Sequence, residues 1–488
     1  MNGNEIKHLI ESFMFKLLGI SKRNIDDCTK KDIFLLSNQK ETIFYNKDFL
    51  FFHHPYDKTG YKIAVNEAYS NVNYQIERQV FDALLDKIDY CIKIPNMSFV
   101  EKEAIYKIAL ETELIASLLD QTKDKVTSIV ELLQKLKLWS LKSYEGKKVP
   151  YAFIIDSFES GKRELNYLKF LDSDFSATIT DGITSIISLD LECNFVAYNS
   201  IIKEKRIVSA DLSNKKAVPQ RFAQILSNEV IGKRLGIFLL TNGDIFLAKD
   251  SEILYVYRNS QWINFSGERY GLMLRTITDK RQLNLFNKEN PDLFSTELFS
   301  TILDVSFSHA GGILAVVKKQ QFIDSSSLSI MDDYSKLFDP SETSFESYKN
   351  DLHNRFKNEM FEKIVKKGEP LTEKQEKYIE NEFEKRMMKR MAIETMLIDE
   401  NGNHIIDFVD MNRKLRAELV GMDGATIIDE NGRLISFGAI IQNDKGSSGG
   451  GRGAATSKLS NFGGFATKIS TDGYIELYIE GEISYQIK

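Results

Sequence analysis

"GMDGATIIDENGRLISFGAIIQNDKGSSGGGRGAATSKLSNFGGFATKISTDGYIELYI", residues 421–479, decides how the C-terminal part of this chain is read. Two apolar runs, "ATIID" and "RLISFGAII", flank Asn431-Gly432, and "FATKIS" and "YIELYI" flank Asp472-Gly473; both pairings are hairpin signals. Between them, residues 444–464 hold seven of the chain's 28 glycines. Composition alone reads such a run as a slack linker. Its setting between a strand and the helical "AATSKLS" reads otherwise, because glycine N–H groups beside a helix N-terminus cradle anions. The second reading makes residues 446–453 an ordered anion cradle.

Upstream, "MNRKLRAELV" has helical spacing, and "LFSTELFSTILDVSFSHAGGILAVVKK" reads as a helix ending near His309 that feeds through Gly311 and Gly312 into a buried strand. Between these, residues 341–398 read as a helical hairpin: Phe345, Tyr348, Leu352 and Phe356 share a stripe. Gly368-Glu369-Pro370 breaks it, and Thr372 with Gln375 restarts it as a capping box. The run Lys385, Arg386, Lys389 and Arg390 is a solvated face on the plain reading and a contact arm for a subunit or nucleic acid on the sharper one.

Further towards the N-terminus the texture changes twice. "GIFLLTNGDIFLAKDSEILYVYRNSQWINF" carries Asn242-Gly243 and two later breaks, which predicts a small meander. Residues 74–142 have helical periodicity, with Ile76, Val80, Leu84 and Ile88 on one face. The expected fold class is therefore mixed α/β. The expected order is a mainly helical region 1–145, a β-rich region 146–290, and an α/β domain 291–488 with the hairpin 341–398 inserted.

At 488 residues the chain exceeds one ordinary core. A formal charge of −6 provides no global field for nucleic acid or an anionic membrane. The three cysteines lack metal-site or disulfide spacing, which fits a reducing cytoplasm, and no apolar run reaches membrane-spanning length. His53 and His54, as neighbours, point apart and are not read as a metal pair.

Two motifs carry a resemblance. "MDGATIIDENGRLISFGA" (422–439) and "GGRGAATSKLSNFGGFATKISTDGYIELY" (450–478) resemble the diadenylate cyclase domain family, whose Asp-Gly-Ala motif precedes a Gly-Thr-Arg-His-Arg-Ala-Ala-x-Gly-Leu-Ser motif. "HAGGILAVV" is similar to the family's strand beside the nucleotide base, so the resemblance spans roughly residues 293–488 apart from the hairpin. It implies an adenine nucleotide or cyclic dinucleotide as ligand. It assigns the binding site to Gly311, Gly312, Asp423, Gly424, Ala425, Gly450, Gly451, Arg452, Gly453 and Ser460. Asp423 becomes the carboxylate that holds Mg²⁺ or Mn²⁺ and would be catalytic in an active enzyme.

The chain departs from the family pattern at the phosphate loop. Gly453 stands where the family has histidine and Ala454 where it has a second arginine. Each lost group is a charge-assisted contact of about 1.5–3 kcal/mol. The expectation is accordingly a nucleotide sensor, similar to the family's DAC-like members in bacterial signalling and conflict systems, that signals to an effector. An active cyclase working as a homodimer or higher oligomer is the alternative. Such a cyclase would join two ATP molecules bound on facing protomers.

Overall fold

The computed structural model describes residues 98–144, 146–158, 160–173, 176, 184–200, 217–265, 274, 283, 291–325, 353–354, 357–358, 371–396, 407–441 and 450–487, together with the backbone of four short strands between residues 25 and 64. The architecture is mixed α/β, as the sequence predicts. The chain divides into two compact units, residues 1–273 with 485–488, and residues 274–484.

In the first unit, strands β1 (Ile25–Asp27), β2 (Ile43–Tyr45), β3 (Phe49–His53) and β4 (Gly60–Ala64) form an antiparallel sheet ordered β1-β4-β3-β2. The expectation of a mainly helical 1–145 did not include this sheet. "TIFYNKDFLFFH" is rich in β-formers, and the helical periodicity of residues 74–142 follows it.

Helices α1 (Phe99–Leu119) and α2 (Thr127–Leu141) follow. An eight-stranded sheet comes next: β5 (Tyr151–Asp156), β6 (Lys162–Asn166), the single-turn helix α3 (Tyr167–Phe170), β7 (Ser185–Leu189), β8 (Asn194–Ser200), helix α4 (Ala223–Glu229), and the meander β9 (Arg234–Leu239), β10 (Ile245–Lys249), β11 (Glu252–Arg258) and β12 (Gln261–Asn264). Its order is β12-β11-β10-β9-β5-β7-β8-β6, with β5 and β7 parallel.

The meander turns where the sequence places them. Asp250-Ser251 and Asn259-Ser260 both take positive φ at both positions, the twist that joins adjacent antiparallel strands. One sheet face buries Tyr151, Phe153, Ile237 and Leu247 against Leu114, Leu118, Leu133 and Leu136 of the two helices. At that interface Glu111, 1% exposed, accepts from Gln134 Nε2, Lys137 Nζ and Trp262 Nε1. On β9 and β10, Phe238 stacks on Phe246 at 4.5 Å, and Phe222 packs edge-on against Phe246.

The second unit carries α5 (Pro291–Ser308), β13 (Gly312–Val317), the short α6 (Lys319–Ile323), α7 (Glu373–Met396), α8 (Arg413–Val420), β14 (Ala425–Asp429), β15 (Leu434–Ala439), α9 (Gly450–Leu459), β16 (Phe465–Ile469) and β17 (Ile475–Ile479). With β18 (Glu482–Ile487) the sheet order is β15-β14-β13-β16-β17-β18, with β13 and β14 parallel. Ile313, Ala315, Val317, Ala425 and Ile427 pack beneath Ala455 and Leu459 of α9. The opposite face meets α8, where Thr426 Oγ1 donates to Leu419 O at 2.9 Å. A bidentate Arg413–Asp304 pair and an Arg416–Glu297 pair bind α8 to α5.

Of the inserted hairpin, the second arm is α7, begun by Thr372 N donating to Gln375 Oε1 at 2.9 Å. His353, from a helical fragment of the first arm, stacks on Phe383 and bonds Glu380. The rest of the first arm, and the side chains of Arg386, Lys389 and Arg390, lie outside the described residues.

Candidate functional site

The site is built around a corner of backbone. Helix α5 ends at Ser308, and His309 takes a left-handed φ of +54° with its N–H on Ser306 O. Gly311, at φ +68°, completes the reversal into β13. Gly312 is required by contact with backbone and Gly311 by its positive φ. A Cβ on Gly312 would stand 2.0 Å from Val420 O, and one on Gly311 would stand 2.6 Å from Arg452 Nη1 and 3.0 Å from Thr471 Cγ2. His309 Nδ1 donates to Thr471 O at 2.8 Å, which pins the β16–β17 turn to the same corner.

Arg452 arrives from above. Helix α9 begins at Gly450, so Gly450, Gly451, Arg452 and Gly453 make its first turn and not a loop before it. The predicted cradle at 446–453 is corrected in its C-terminal half, while residues 442–449 lie outside the described residues. The helix starts early because Ala455 and Leu459 must reach the sheet, and that burial outweighs the helix cost of three glycines. Among the described residues the Arg452 guanidinium has no carboxylate or carbonyl partner. The positive end of the helix lies at the same turn.

Asp423 lies at the same end of the sheet, before the start of β14. It sits in the turn between α8 and β14, exposed, with no hydrogen bond to its carboxylate among the described residues. The parallel register pairs Leu314 with Thr426, so β13 and β14 start at the same end of the sheet, and Asp423 lies two residues before β14. Gly421, at the end of α8, is itself close to the corner, since a Cβ there would lie 3.3 Å from Ala310 Cβ. Gly424, at φ +105°, lies so close to Gly438 that a Cβ would meet its carbonyl carbon at 2.4 Å.

Gly311, Gly312, Asp423, Gly424 and the first turn of α9 thus share one end of the sheet. Two predicted residues do not join them as ligand groups. Ala425 is buried in the core beneath α9. Ser460 stands eight residues along from Arg452, about 12 Å by helical rise. Its hydroxyl donates to Ser457 O and accepts from Gly481 N, both at 2.8 Å.

Three residues absent from the sequence reading belong here. Lys468 Nζ donates to Glu476 Oε2 at 2.9 Å, and Tyr478 Oη donates to the same oxygen at 3.2 Å. Tyr478 Oη is also the nearest atom, at 4.0 Å, to a Cβ placed on Gly453. Burial, and then the Glu476 carboxylate, hold the Tyr478 phenol well above its ordinary range. The signal was present: Lys468 and Glu476 are equidistant from Asp472, so a hairpin there pairs them.

Among the described residues no cluster of three histidine, cysteine or acidic groups could hold a metal ion. A divalent ion at Asp423 would take one protein carboxylate and draw its other oxygens from phosphate and water, an arrangement that suits Mg²⁺. No helix among the described residues is long and apolar enough to cross a membrane. Comparison of the chain with protein-family models, with curated proteins and with solved structures found no match.

Proposed function

We propose that residues 274–484 form a nucleotide-binding sensor domain of the diadenylate cyclase type, which takes an adenine nucleotide or cyclic dinucleotide at the Gly311 corner. One observation carries the reading: an arginine without a protein partner among the described residues, in the first turn of a helix, lies on a glycine that permits close approach to backbone. Such an arrangement presents a guanidinium and helix N–H groups to phosphate oxygens.

The test is mass spectrometry of small molecules released from purified protein, with and without incubation in mixed nucleoside triphosphates. A bound nucleotide without new product supports the sensor. Release of nothing, with no thermal shift by any nucleotide, removes it.

A second reading, an active nucleotidyltransferase, draws on the exposed Asp423 beside the close Gly424–Gly438 approach. There Asp423 would hold Mg²⁺ or Mn²⁺, which lowers the charge of the reacting phosphates. Appearance of a cyclic dinucleotide in the incubated sample would select this reading.

A further inference from the structure

We draw no further inference here: the strongest candidate, the apolar surface that Val100 and Ile108 expose on α1 and Leu138 and Leu141 on α2, carries none because nothing in the structure shows what covers it.

Discussion

Arg452 Nη1 occupies the space that a side chain at Gly311 would need, with only 2.6 Å between it and a Cβ built there. The glycine at 311 is therefore tied to the arginine of a distant helix, and to its own φ of +68°. Gly311→Ala should cost about 1–2 kcal/mol in backbone strain, seen as a lowered Tm, and should displace the guanidinium. Arg452→Gln should leave Tm nearly unchanged and lose nucleotide binding. Differential scanning fluorimetry with and without nucleotide separates the two effects.

Glycines in the same unit should respond in opposite directions to alanine. At Gly312 the added methyl meets Val420 O at 2.0 Å, and the start of β13 and the end of α8 must part. Gly451 has nothing within 4 Å of a Cβ and lies in the first turn of α9. Gly451→Ala should stabilise by up to about 1 kcal/mol, whereas Gly312→Ala should give poorly folded protein. Urea midpoints on the full chain check both.

Asp423 is exposed, and its carboxylate has no hydrogen-bond partner among the described residues. Asp423→Asn should change stability by less than about 0.5 kcal/mol. Any dependence of nucleotide binding or turnover on Mg²⁺ or Mn²⁺ should disappear with it. A metal titration in the presence of ATP, wild type against variant, reads this.

In the first unit, Glu111 is the carboxylate on which Lys137, Gln134 and Trp262 converge. Glu111→Ala leaves a part-buried ammonium unneutralised and the Gln134 and Trp262 donors without their acceptor, and should cost about 2–3 kcal/mol. Burial already pulls the Lys137 ammonium below its ordinary range, with Glu111 opposing that shift. The double replacement Glu111→Leu with Lys137→Met should recover most of the loss, measured by chemical denaturation.

Ser98 and Glu101 close the start of α1 reciprocally: Ser98 N and Oγ both donate to Glu101 Oε2, at 2.8 and 2.7 Å. Those bonds lower the Glu101 carboxyl from its ordinary 4.5. The cap is fully formed above pH 4.5 and is lost as pH falls through the lowered value. Amide exchange in the first turn of α1 should accelerate in acid, and Ser98→Ala should shift that acceleration to higher pH.

The local elements were legible in advance where neighbouring residues suffice. "ATIID" coincides with β14, the two-residue turns of the meander fall where the sequence breaks, and the Asp-Gly-Ala corner lies at a strand start. The start of α9 was not legible, because three glycines read as loop until Ala455 and Leu459 have a sheet to cover. Nor was the four-stranded sheet within residues 25–64 separated from the helical pattern that follows it.

By itself, then, the sequence determined backbone preference: turn chemistry, period of apolar residues, and the identity of the charged groups available to a site. Only tertiary structure decided which of those groups meet. Arg452 on Gly311, His309 on Thr471, and Lys468 on Glu476 under Gly453 are set by strand register and by the helix laid across it. Register follows from burying one whole face at once, a property that no short stretch of chain possesses.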